Sequence, residues 1–215
     1  LACGYVAKGR MEEPMQILSV INKFFTQQKN VVKSSFSGKR ALVTAGPTVE
    51  VIDPVRYVSN RSSGKMGYAI AEALRDKGAI VTLISGPTHL SLPEGINVVK
   101  VESADDMFQA VTERFAKQDI VIKAAAVSDY TPMDILEHKL KKQEGGLSVQ
   151  FKRTKDILKY LGENKTHQYL VGFAAETQNI EQYALDKLKR KNADVIISNN
   201  VGDTSIGFSS DDNEL

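Results

Sequence analysis

The sequence predicts an α/β chain with a three-layer, Rossmann-like fold on a mainly parallel sheet, with a long flap after the fourth strand. Three observations predict it. Apolar, β-branched runs alternate with amphipathic segments of helix length from Lys39 onward. That alternation gives right-handed strand–helix–strand units whose strands run parallel, covered on both faces. Glycines Gly64 and Gly67 open a helix after the first strand, in the order used by nucleotide-binding domains. The length, 215 residues, is enough for one sizeable core and cramped for two.

Residues 1–38 differ from the rest: "LACGYVAKGRMEEP" is loop-like, "MQILSVINKFF" has helical apolar spacing, and "TQQKNVVKSSFSG" reads as a polar linker. The main domain is expected over 39–215. Its first strand is "ALVTA", followed after an excursion by helix "GYAIAEALRDKG", strand "IVTLIS" and short strand "NVVKV". Helix "SADDMFQAVTERFAK" comes next, and Ser103 with Asp106 three residues on forms a capping-box pattern that fixes its start. Strand "DIVIKAAA" follows. Val127 to Arg153 reads as irregular. The chain then gives helix "TKDILKYLGEN", strand "YLVGFAAE", helix "IEQYALDKLKRK" and strand "DVIIS". The first residue is Leu and the last residues, "SSDDNEL", carry no turn or helix stop, so both ends read as cut from something longer.

Composition excludes several classes. Twenty-eight basic against 26 acidic residues give a net charge of +2, so overall charge points neither to a polyanion scaffold nor to an acidic surface. One cysteine, Cys3, rules out an intrachain disulfide, and no ligand cluster calls for structural zinc or another protein-bound metal. A reducing cytoplasm fits that cysteine usage. No apolar run approaches the roughly 20 residues of a membrane span, and no secretory signal pattern is present, so no membrane partner is expected. Nucleic acid is disfavoured too, because the basic clusters lack interleaved aromatics and no helix-turn-helix or RNP pattern occurs.

In doubly wound sheets, ligands bind beyond the carboxyl ends of the strands. The segments "TAGPT", "ISGPT", "KAAAVSDY", "GFAAET" and "SNNVGDT" should therefore share one edge. A dinucleotide fingerprint would need its glycines in one tight turn, yet Gly46 is separated from Gly64 by the insertion "VIDPVRYVSNRSSGKMG" region. Ser85, Gly86 and Pro87 also stand where a ribose-binding acid is expected, which leaves an NAD(P)-dependent oxidoreductase as the alternative reading. The insertion supplies Asp53, Arg56, Asn60, Arg61, Ser62, Ser63, Gly64 and Lys65. It reads either as a solvated loop or as an anion site, in which helix N–H groups, serine hydroxyls and Arg56 surround a phosphate or carboxylate. Three alanines after Lys123 allow a flat ligand close to the backbone, and equally suit a core. Lys139, Lys141 and Lys142 on the long connection, Lys152, Arg153 and Lys155, and Lys187 with Lys191 one helical turn on, form three basic clusters suited to a triphosphate.

With these residues stated, the chain resembles the phosphopantothenoylcysteine synthetase half of the bacterial bifunctional coenzyme A biosynthesis proteins. The resemblance rests on seven spaced motifs: "TAGPT", "DPVRYVSNRSSGKMG", "AAAVSDY", "KLKK", "VGFAAET", "KxxxKNxD" and "GFSSDDNE". It implies joining of 4′-phosphopantothenate to L-cysteine with CTP and Mg2+, through an acyl-cytidylate, releasing pyrophosphate and CMP. It also implies that Asn60 and Arg56 serve the acyl-phosphate side and that Lys139 is a flap lysine beside the triphosphate. The remaining nucleotide residues it implies are Lys123, Ala124, Ala125, Asp129, Lys155, Asp156, Ile157, Leu158, Phe173, Lys187 and Lys191. A homodimer is implied as well. "LACGYVAKGRM" resembles the tail of the flavin-dependent decarboxylase half, with Cys3 at the position of its catalytic cysteine. FMN would belong only to that half, whose body this sequence lacks, so Cys3 is expected to be idle. A non-catalytic fragment is the third reading.

Overall fold

The computed structural model describes Met15, Gln16, Leu18, Ser19 and residues 35–142, 145–176 and 179–200. The chain divides into two compact units, Leu1–Ser35 and Phe36–Leu215. In the first, Met15, Gln16, Leu18 and Ser19 are helical and Ser35 lies in a turn. The expected helix over "MQILSVINKFF" otherwise lies outside the described residues, as do Cys3 and the "GFSSDDNE" motif.

In the second unit the strands are β1 (Arg40–Ala45), β2 (Val49–Val51), β3 (Tyr57–Ser59), β4 (Ile80–Ser85), β5 (Asn97–Lys100), β6 (Ile120–Lys123), β7 (Tyr130–Pro132), β8 (Phe151–Arg153), β9 (Tyr169–Glu176) and β10 (Val195–Asn200). The helices are α1 (Lys65–Asp76), α2 (Ala104–Phe115), α3 (Ile157–Asn164) and α4 (Ile180–Lys191). One six-stranded sheet has the order β10-β9-β6-β1-β4-β5, and every neighbouring pair is parallel. The chain thus winds from β1 outward through β4 to β5, then returns to β6 on the other side of β1 and continues outward. The reversal leaves a crevice beyond the ends of β1 and β6.

Alternation along β1 assigns its side chains to two layers. Ala41, Val43 and Ala45 pack with Tyr68, Ala71 and Leu74 of α1. Leu42 points the other way, into a cluster with Met107 and Val111 of α2 and Ile157 and Leu161 of α3. Burying each large aliphatic side chain stabilises the fold by roughly 1.5–3 kcal/mol, which makes these two layers the main reason the register holds. α1 comes unusually close to β1 because Gly67 has no side chain: a Cβ there would lie 2.5 Å from Ala45 Cβ. The capping box at α2 is present, with Asp106 N–H donating to Ser103 Oγ at 3.1 Å and Ser103 N–H to Asp106 Oδ2 at 2.9 Å.

Two expectations are corrected. The insertion after β1 is an antiparallel hairpin, β2 against β3, with Glu50 opposite Val58. The stretch read as irregular holds β7 and β8, which pair antiparallel through Tyr130 and Arg153, Thr131 and Lys152, and Pro132 and Phe151. Pairings of three residues across long connections leave little periodic signal in the sequence.

Candidate functional site

Beyond the last residues of β1 and β6 the two chains keep running side by side. Ala126 N–H donates to Gly46 O at 2.9 Å, Thr48 N–H to Ala126 O at 3.2 Å, and Ser128 N–H to Thr48 Oγ1 at 3.0 Å. Thr44, fully buried, accepts the Ala125 N–H on its Oγ1 at 3.2 Å. The alanines Ala124–Ala126 therefore line the crevice with backbone rather than side chain. Asn60, delivered by the end of the hairpin, donates its amide Nδ2 to Ala126 O at 3.0 Å, and neighbouring Ser59 donates to Thr48 O at 2.7 Å. The second amide hydrogen and the carbonyl of Asn60 are left for other partners.

The end of β6 also carries Lys123, which faces the α3 and α4 side of the sheet. Burial pulls its ammonium down to a pKa of about 8, and the nearby Lys187 charge adds to the effect, while Asp156 and Asp129 oppose it. Lys187 donates to Phe173 O at 2.8 Å, and Lys191 is ion-paired with Asp156. Burial pushes the Asp156 carboxyl up, but the hydrogen bond from Lys191 and the Lys159 N–H outweigh it and hold the acid below its usual range. Asp156 is also the N-cap of α3, accepting Lys159 N–H at 2.9 Å. α4 is pinned against α3 where Gly162 meets Lys191: a Cβ at Gly162 would sit 1.8 Å from Lys191 O, and Asn192 Nδ2 donates to Gly162 O at 2.8 Å. The result is three ammonium groups, Lys123, Lys187 and Lys191, gathered around two carboxylates. Such an excess of desolvated positive charge suits a polyanion.

A second cluster joins the hairpin to the flap. Asp53 is 1% exposed. Its Oδ1 accepts the N–H groups of Val55 and Arg56, both at 2.8 Å, and its Oδ2 accepts Leu140 N–H at 3.2 Å and Arg56 Nη1 at 3.3 Å. Burial raises its carboxyl, but the N–H groups of Val55, Leu140 and Arg56 and the guanidinium charge bring it below the ordinary value. Arg56 Nη2 donates to Leu140 O at 3.0 Å. Lys139, next in sequence, is exposed.

These positions sort the sequence-derived residues. The structure brings Asn60 together with the alanine turn, and Lys123, Asp156, Phe173, Lys187 and Lys191 together with Asp129 in electrostatic range. Arg56, expected to surround an anion with Ser62, Ser63, Gly64 and Lys65, is instead turned to Asp53 and the flap. The α1 start is held without a side-chain cap; Lys65 N–H reaches Ser63 Oγ at 3.4 Å. Ile157 and Leu158 are core side chains, 1% and 3% exposed, so only their backbone N–H groups at the α3 start are available to a ligand. Lys155 is paired with Asp105 at 2.9 Å and lies 4.7 Å from the centre of the Phe108 ring, on α2. Sequence reasoning gives Thr48 no role of its own, names Asp53 only among the polar residues of the insertion, and has Ala126 only as one of three alanines at a strand end.

Gly46 and Gly64 both have positive φ, 75° and 82°. A Cβ on Gly64 would lie 3.3 Å from Gly46 and 2.8 Å from Thr88 Cγ2. The hairpin thus returns to α1 directly over the point where it left β1, and chain and Thr88 fill the space that a dinucleotide pyrophosphate requires in a glycine turn. A separate cavity of about 600 Å³ lies at the ends of β4 and β5, among Tyr68, Ser85, Thr88, Lys100 and Glu102. Among the described residues, no helix is long and apolar enough to cross a membrane.

The chain is similar to known proteins along its whole length. The coenzyme A biosynthesis bifunctional protein CoaBC of Bacillus subtilis (strain 168) is 52% identical over 214 residues, covering 99% of this chain and 52% of that protein. The protein of the same name from Haemophilus influenzae is 47% identical over 215 residues, covering 100% of this chain and 52% of its own length. The chain thus spans about half the length of the curated relatives it matches. A crystal structure of the C-terminal domain of a coenzyme A biosynthesis bifunctional protein CoaBC superposes with a TM-score of 0.70 at 51% identity, covering 78% of this chain and 80% of that one. Residues 36–215 match the DNA/pantothenate metabolism flavoprotein C-terminal domain, and the chain belongs to that family.

Proposed function

We propose that the domain over 36–215 is a phosphopantothenate–cysteine ligase of coenzyme A biosynthesis, using CTP. The observation that carries the reading is the junction at the end of β6, where three ammonium groups adjoin a backbone-lined crevice holding Asn60. A triphosphate and a carboxylate repel one another, so joining them requires fixed positive charge beside an uncharged donor. Relatives named coenzyme A biosynthesis bifunctional proteins match the chain throughout, which supports 4′-phosphopantothenate as the acid and L-cysteine as the amine.

In the first step a carboxylate oxygen of the acid attacks the α-phosphorus of CTP, and pyrophosphate leaves with the electrons of the broken P–O bond. Lys123, Lys187 and Lys191 hold phosphate oxygens, and Lys139 approaches from the flap. In the second step the cysteine amine attacks the resulting acyl-cytidylate, CMP leaves, and the nitrogen loses a proton. The free amide hydrogen of Asn60 supports the carbonyl oxygen as its charge grows. In this reading Mg2+ arrives on the nucleotide phosphates, beside the oxygens that Lys123, Lys187 and Lys191 would hold. When bound there, Mg2+ would neutralise part of the triphosphate charge.

A homodimer forms part of the proposal. Val55 and Tyr57 on the hairpin and Tyr130, Met133 and Ile135 at the flap are at least half exposed, an apolar surface suited to a second copy. The flavin-dependent decarboxylase activity, with FMN, belongs in this reading to the remainder of the parent polypeptide, acting in the cytoplasm, and Cys3 is that half's residue carried at the start of this chain. The test is thermal stability and pyrophosphate release with CTP and Mg2+, with NADPH as control. Stabilisation by CTP and release dependent on phosphopantothenate support the ligase. Stabilisation by NADPH alone refutes it.

A further inference from the structure

The structure assigns to Asp53 a positioning role: we propose that its buried carboxylate latches the Arg56 guanidinium and the flap beside Lys139 into the conformation used in the first step. The inference rests on the ligase reading above for the reaction, and on geometry alone for the latch. An aspartate in a tight turn commonly accepts N–H groups two and three residues on, and Oδ1 does so with Val55 and Arg56. Turn formation asks nothing of the other oxygen. Oδ2 instead accepts the N–H of Leu140, 87 positions away, and the Arg56 Nη1.

Arg56 closes the ring by donating from Nη2 to the carbonyl of the same Leu140. Both polar groups of one flap peptide unit pair are therefore held by one acid and the arginine it orients. A further tie, Leu136 N–H to Ile52 O at 3.0 Å, runs from the same hairpin to the same flap. The flap side chains from Met133 to Lys139 are otherwise exposed, so little apolar burial holds the segment. Such a segment is positioned by its hydrogen bonds. Lys139 lies one residue from Leu140, and the hairpin that carries Asp53 also carries Asn60. The latch thus fixes the flap lysine relative to the crevice without Asp53 touching substrate.

Two measurements test this on the full chain. Trypsin cuts after Lys139, Lys141 and Lys142, so Asp53→Asn should speed cleavage there about tenfold while leaving cleavage after Arg75 unchanged. In the reaction, Asp53→Asn should slow pyrophosphate release about 10- to 100-fold with nucleotide affinity within about threefold. Combined with Lys139→Gln, it should add no more than about a twofold further loss, since both changes remove the same contribution. Unchanged flap cleavage, or losses that multiply in the double variant, would overturn the inference. If Asp53→Asn does not fold, Arg56→Gln keeps the turn and removes the Nη2 tie to Leu140; about fivefold faster flap cleavage supports the latch and unchanged cleavage overturns it. No pyrophosphate release from the unsubstituted chain would sink the ligase reading, and the cleavage experiment would still decide the latch.

Discussion

Asn60 and Ala126, 66 positions apart, are joined by an amide-to-carbonyl hydrogen bond of 3.0 Å at the place where the strand order reverses. The same carbonyl accepts the Thr48 N–H, so one backbone oxygen ties the hairpin to the ends of both central strands. Asn60→Asp keeps the volume and removes the donor, placing negative charge against that carbonyl and against any oxyanion beside it. The expected outcome is pyrophosphate release about once per site with product formation reduced about 100-fold. Quenched-flow measurement of both products checks it; equal loss of the two steps would move Asn60 to the first.

Lys139 is exposed on the flap and is predicted to meet phosphate charge mainly in the first transition state. Lys139→Gln should slow acyl-cytidylate formation about 100-fold and weaken CTP binding less than about fivefold. Single-turnover rates beside calorimetric affinity separate the two.

Lys123 provides a pH signature. Its ammonium has a pKa of about 8 in the folded chain against 10.5 ordinarily. Between those values the unfolded chain keeps the proton that the folded chain has lost, so this residue makes stability rise with pH across that window. Lys123→Met should flatten the rise, measured by denaturant unfolding at several pH values. A bound triphosphate favours the charged form, so CTP binding should take up a proton and weaken by up to about tenfold per pH unit above 8. Calorimetry in buffers of different ionisation enthalpy reads the uptake; binding independent of pH would exclude Lys123 from the site.

The glycines at the α1 start are predicted to be structural. Gly64→Ala introduces a Cβ at positive φ, 2.8 Å from Thr88 Cγ2 and 3.3 Å from Gly46, and should cost about 1–3 kcal/mol in chemical unfolding. Gly86→Ala is worse, because its Cβ would fall 1.7 Å from the Pro47 carbonyl oxygen. A Gly64→Ala variant of normal stability that lost substrate binding would instead make Gly64 part of the ligand site.

Lys155 separates sequence resemblance from observed geometry. Its ammonium pairs with Asp105, both more than half exposed, and sits over Phe108. Lys155→Ala should change stability by less than about 1 kcal/mol. If the Asp105 pair persists in solution, nucleotide affinity should stay within about threefold; a larger loss, measured by calorimetry, would show that Lys155 leaves α2 to meet the phosphates.

The regular elements were legible because local rules write them. The strand "ALVTA" is uniformly buried beyond Arg40, and Ser103 with Asp106 marks the α2 start through contacts three residues apart. The lysines Lys187 and Lys191 fall on one face by helical spacing alone. The site was legible only in part. Ile157 and Leu158 carry the resemblance to a nucleotide site, yet the sequence does not say that their side chains are sealed in the core. Nothing in the residues beside Arg56 shows that its guanidinium donates to Leu140 O, 84 positions away.

By itself, then, the sequence determined the alternation of strands and helices, the helix starts, and the set of residues able to handle an anion, since each depends on periodicity or on neighbours within one turn. Tertiary structure decided the strand order that creates the crevice, the pairing of β7 with β8, the burial that lowers Lys123, and the Asp53 to Leu140 latch. Those depend on groups brought together from tens of residues away. The energy of such a contact is set by desolvation and by the geometry of its partners, neither of which a linear pattern encodes.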